Sequence, residues 1–172
     1  MARRSVAILL LLLWPLIELP AQRMTPVGRA LLPLDRGWEY RWGDSPRDGD
    51  GTLSWLWESP EATAGRLWSP VDFPSNPPGR EGRRNAWFRV RLLAAQGPEG
   101  QRDPRLFIYS IDLNAELYLG GRLLYAFGSL DAQGRGRYQG WPWHLLPLPP
   151  DYGGQWLHVR VFSDYVDIGL WG

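Results

Sequence analysis

Apolar and polar positions alternate with period two in several short stretches, and the fullest of these lies at 106–125, LFIYSIDLNAELYLGGRLLY. Residues 106–111 form an apolar and aromatic run, the composition of a strand buried on both faces. Ala115, Leu117 and Leu119 alternate with Glu116 and Tyr118, the signature of a half-buried strand. Gly120 and Gly121 supply the positive φ angles of a two-residue hairpin turn, and 122–125 is the returning strand. Asp112 and Asn114 flank Leu113 at a turn, where their short side chains bond the backbone.

The same period recurs on either side. Trp38, Tyr40 and Trp42 share one face of a strand. Over 85–93, Phe88, Val90 and Leu92 face one way, and Trp87, Arg89 and Arg91 the other. Over 156–162, Leu157, Val159 and Val161 oppose Trp156, His158, Arg160 and Phe162. Weaker signals place a short strand at 53–57, one helical turn or a loop at 59–65, an extended piece at 68–73, a Pro-bounded run at 144–150 and a further strand at 166–171. Residues 74–84 and 129–139 read as flexible loops from their Pro, Gly and polar content. No amphipathic helical segment exceeds about two turns, and there is no internal repeat. Short strands with turn signals about every 8–12 residues predict an all-β chain, an antiparallel β-sandwich or jelly roll.

At the front, Arg3 and Arg4 precede an apolar stretch over 6–14 that Pro15 breaks. This is an export signal, with cleavage after Ala21 or retention as an uncleaved anchor. Even 6–17 is shorter than the roughly 20 apolar residues that span a bilayer. The expected organisation is a signal segment at 1–21, a linker at 22–33 and one domain at 34–172, on the periplasmic or extracytoplasmic side. Cysteine is absent, which excludes disulfides and thiolate metal sites, and two histidines are too few for a histidine-rich metal site. No cofactor is expected. All 19 basic residues are Arg against 18 acidic ones. That balance does not suit non-specific nucleic-acid binding, which depends on neutralising phosphates.

The segment DLNAELYLGGRLLYAFG, with GWEYRWGD upstream, NAWFRVRL next and WLHVRVFSDYVDIGLWG downstream, resembles a strand–turn–strand pattern shared by two related groups. One is the galactose-binding-like β-sandwich at the front of β-galactosidase and β-glucuronidase enzymes. The other is the extracellular jelly-roll domain of bacterial seven-transmembrane receptors with diverse intracellular signalling modules. The resemblance spans about 34–172 and departs from the usual pattern at Gly120, where Asn is more common. It implies a ligand-sensing ectodomain whose partner is a membrane-embedded signalling domain. Histidine kinase or diguanylate cyclase activity would then reside in a domain absent from this sequence. The other implied reading is a non-catalytic carbohydrate-binding module. The chain would be either a truncated receptor, as its close on an apparent strand suggests, or a free-standing binder. A third reading is a protein-interaction sandwich without a small ligand.

Eleven Trp residues are the main chemical hint. Sugar rings present C–H faces that stack on aromatic planes. Trp87, Tyr118, Trp141, Trp143 and Tyr152 fall in loops or on outward faces, although filling a wide core is the plainer role for a Trp. Arg89, Arg91, Glu116, His158 and Arg160 share the polar faces of predicted strands. They would form either an Arg site for a sugar acid or small carboxylate, or a solvated face with weak ion pairs. A catalytic role for Asp112 and Glu116 fails on distance. Four residues of strand separate them by about 13 Å, whereas glycosidase carboxylates stand about 5–9.5 Å apart. No nucleophile elbow, zinc-binding helix or phosphate loop is present.

Overall fold

The computed structural model describes residues 31–58, 67–73, 75–94, 103–111, 114–137, 140, 142–165, 167–168 and 170–171. The expected signal segment, the 59–65 turn, Asp112 and Trp141 lie outside the described residues. Among the described residues ten strands follow in order: β1 Glu39–Trp42, β2 Ser69–Pro70, β3 Asn85–Arg91, β4 Arg105–Ile108, β5 Ser110–Ile111, β6 Asn114–Leu119, β7 Arg122–Phe127, β8 His144–Pro147, β9 Trp156–Phe162 and β10 Leu170–Trp171. Six of them make one sheet in the order β2-β1-β3-β9-β6-β7, and β4 with β8 and β5 with β10 make two ribbons. Every pairing is antiparallel. The chain is an all-β sandwich of the jelly-roll class.

The large sheet follows from the alternation. Tyr40, Phe88, Val159, Leu117 and Tyr125 lie abreast across five strands. They pack, with Val90, Leu157 and Val161, against Leu106, Ile108, Ile111 and Leu146 from the ribbons. The next row carries Arg41, Trp87, Arg160 and Glu116 on the opposite face. A slip of one residue would drive that charged row into the apolar core, so the register is strongly specified. Gly120 and Gly121 have φ of +53° and +80°, as a tight hairpin turn between β6 and β7 requires.

Four expectations need correction. Residues 106–111 are not buried on both faces. They form two short strands, and because among the described residues β4 pairs only with β8, in an outer ribbon, Phe107 and Tyr109 point outward while Leu106 and Ile108 enter the core. Residues 53–57 are not a strand. A 3-10 turn at Ser54–Leu56 tucks Trp55 and Leu56 under, after Leu53 bridges to Arg47.

The flexible-looking loops are tied by side chains. Tyr40 Oη and Trp42 Nε1 donate to the Pro78 carbonyl, at 3.2 and 2.7 Å. Asn85 Nδ2 donates to the Gly134 carbonyl at 2.6 Å. Finally, Asn114 is not a turn residue bonding the backbone but the first residue of β6. It is fully buried, and neither polar atom of its amide has a hydrogen-bond partner.

Candidate functional site

The charged face expected from β3, β6 and β9 exists, but it is not solvated. Residues 44–58 and Trp68 cross it as a strap. Leu53, Trp55, Leu56 and Trp68 pack on Trp87 and Tyr118 in a second apolar cluster. Trp87 stacks on Tyr118 with centroids 5.9 Å apart, and Trp55 meets Trp87 edge-on at 5.8 Å. Aromatic rings of this size bury enough surface to hold down a segment with little regular structure.

Under the strap, Asp44, Trp87, Glu116, Tyr118 and Arg160 satisfy one another. Arg160 Nε donates to Asp44 Oδ1 at 2.7 Å and its Nη1 to Glu116 Oε2 at 2.8 Å, while Nη2 reaches Asp44 Oδ2. Asp44 Oδ1 also accepts from Trp87 Nε1 at 3.0 Å, and Glu116 Oε2 accepts from the Tyr118 hydroxyl. Burial works against the Arg160 charge, but the hydrogen bonds and charges of Asp44 and Glu116 outweigh it and raise its pKa. Burial, with the Glu116 hydrogen bond and charge, raises that of Tyr118.

On the neighbouring row Arg89 Nε donates to Glu39 Oε2 at 2.6 Å. Its guanidinium carbon lies 4.3 Å from the Trp68 ring centroid and 4.8 Å from that of Trp156. Arg41 Nη1 bonds both Glu58 oxygens at 3.0 Å, with its guanidinium 3.7 Å over Trp55. His158, between Arg89 and Tyr118 in the sheet register, is 4% exposed. Burial, then the Arg89 charge, pushes its pKa down to about 4, so it is neutral near pH 7.

Of the residues singled out by sequence, the fold brings Tyr118, Glu116 and Arg160 together and sets Arg89 one row away. Arg91 is exposed, and its Nε donates to the Gly154 carbonyl at 3.0 Å. Tyr118, Trp87 and Tyr152 are buried rather than outward, because the strap covers the first two and the main core takes the third. A carboxylate ligand at Arg160 or Arg89 would have to displace a carboxylate already in place.

Trp143 lies elsewhere, on the outer side of the β4–β8 ribbon. It is 72% exposed, and its ring centroid is 6.2 Å from that of Tyr109, itself 54% exposed, with planes inclined by 33°. Phe107 and Leu145, paired in register, extend the same face. Sequence reasoning missed Tyr109. The signal was there in positions 107 and 109 alternating with 106 and 108, had the run been taken as one-sided.

No family model matches the chain, and no curated protein matches it. Solved structures do. A glycosyl hydrolase family 2 member from Bacteroides cellulosilyticus is 16% identical, with a TM-score of 0.47, over 80% of this chain and 19% of that one. A β-glucuronidase of Faecalibacterium prausnitzii is 16% identical, with a TM-score of 0.49, over 76% and 20%. A putative β-galactosidase from Bacteroides fragilis is 14% identical, with a TM-score of 0.47, over 82% and 21%. This chain therefore spans about a fifth of each of these proteins.

Proposed function

We propose that the chain is a non-catalytic, extracytoplasmic carbohydrate-binding module. The observation that carries this reading is the exposed Tyr109–Trp143 pair on the ribbon. Two large rings held side by side, half or more in water, offer the apolar plane on which the C–H face of a sugar stacks. Burying them in the core would have stabilised the sandwich, so their exposure favours a surface role. Glu116 is committed to Arg160 and Tyr118, which makes it a poor general acid or base. The sensory-ectodomain reading shares this ligand chemistry and adds a membrane-embedded signalling partner. The aromatic pair supports the shared part.

The test is affinity electrophoresis of the purified chain through gels containing neutral polysaccharides. Retardation is expected with at least one glycan. Trp143→Ala and Tyr109→Ala are each expected to weaken it about tenfold, equivalent to about 1.4 kcal/mol, with an unchanged melting temperature because both rings are exposed. A chain that no glycan retards, or retardation indifferent to both substitutions, would sink the proposal.

A further inference from the structure

The opposite side of the molecule carries a depression of about 330 Å³ where the strap meets the β6–β7 turn. Its lining includes Trp57, Glu58, Arg89, Gln155, Trp156 and His158. Trp57 is 61% exposed although it directly follows the buried Trp55 and Leu56. Its indole lies over the turn: a Cβ on Gly121 would stand 2.5 Å from that ring. Trp156 is half-buried, with its ring against the Arg89 guanidinium. The depression thus has aromatic walls held in place from beneath, which are separate from the ribbon pair.

Its polar groups are paired by charge. Arg89 has Glu39 at 2.6 Å, and Glu58 has Arg41 at 3.0 Å. His158 is neutral near pH 7, and its Nδ1 is buried with no hydrogen-bond partner. Such a site offers donors and acceptors without net charge. It therefore suits a ligand rich in hydroxyls better than an anion. The volume lies at the small end of ligand pockets, which span about 300–1,000 Å³, so it suits one ring rather than an extended chain.

We infer that this depression is a second carbohydrate subsite, which takes a single neutral sugar ring against Trp57 and Trp156, with Glu58 and Gln155 supplying hydrogen bonds to its hydroxyls. The inference rests on the carbohydrate reading above and assigns that reading a second place on the molecule.

The experiment uses the full chain and its Trp57→Ala and Trp143→Ala variants. Glucose, galactose, mannose, N-acetylglucosamine and glucuronate are titrated, following binding by calorimetry and the indole N–H signals by NMR. The expected result is saturable binding of at least one neutral sugar that persists in Trp143→Ala and is weakened about tenfold or more by Trp57→Ala. In the unsubstituted chain the Trp57 and Trp156 indole signals are expected to shift, a readout that does not depend on any variant folding.

Glycan retardation through Trp143 with no monosaccharide binding would overturn the subsite and leave the module reading intact. So would monosaccharide binding that survives Trp57→Ala without an indole shift. Glucuronate bound tenfold more tightly than every neutral sugar would overturn the charge argument and the subsite with it. Absence of both kinds of binding would overturn both readings together.

Discussion

Arg160 has no exposed side-chain surface, yet it carries a full charge between two carboxylates. Its removal would leave Asp44 and Glu116 facing each other without a cation. Arg160→Met is expected to cost about 3 kcal/mol of stability, measured by urea unfolding, because a buried pair broken on one side strands a charge. Arg160→Lys is expected to recover little, since a single ammonium cannot reproduce the fork that engages both partners.

His158 provides a second residue-scale expectation. Its pKa falls from the ordinary 6.5 to about 4 in the folded chain. On acidification the unfolded chain takes up the proton first. The stability His158 lends is therefore complete above pH 6.5 and is lost as pH falls through 4, by about 3 kcal/mol in total. The difference in urea stability between the unsubstituted chain and His158→Gln, compared at pH 7.5 and pH 4, isolates this contribution from that of the carboxylates. An equal difference at both values would contradict it. That Arg89, His158 and Arg160 share a face was legible in the alternation of β3 and β9. That Asp44 closes over Arg160 was not, because a contact 116 residues away leaves no mark on local spacing.

At the scale of elements, the secure strands were those with a clean period of two: β3, β6 and β9. The β4–β8 ribbon was harder to read, because its outer face is apolar and hides the alternation. The 3-10 turn at Ser54–Leu56 was missed for a related reason. A three-residue turn is too short to show a period, and its buried Trp55 and Leu56 read as strand. The hairpin turn was legible from the Gly-Gly pair alone. Gly121 is expected to tolerate no side chain: Gly121→Ala forces a left-handed φ on alanine and sets its methyl group against Trp57. Loss of about 1–2 kcal/mol is expected from the backbone conformation alone. A shifted Trp57 indole signal in the folded variant would show that the ring had moved.

At the scale of the whole molecule, the sheet is buried on both sides by different means. One side rests on the two ribbons, as sandwich packing leads one to expect. The other lies under an irregular, tryptophan-rich strap that no strand pattern announces. This explains why the sandwich was legible in the sequence while the cover over the polar face was not. It also explains why three of the five aromatic candidates turned inward. Trp143 kept its outward position because the ribbon that carries it is the outermost layer.

The strap also has a consequence for how the chain comes into being. β9 is the shared neighbour of β3 and β6, and it carries Arg160, to which Asp44 is tied from 116 positions earlier. Until β9 has been synthesised, the sheet has no centre and the strap has no floor. A growing chain thus holds Trp55, Trp68 and Trp87 with nowhere to bury them for most of its length. Pairings this distant in sequence close late and slowly. The final third of the chain therefore decides when the sheet and its strap can close.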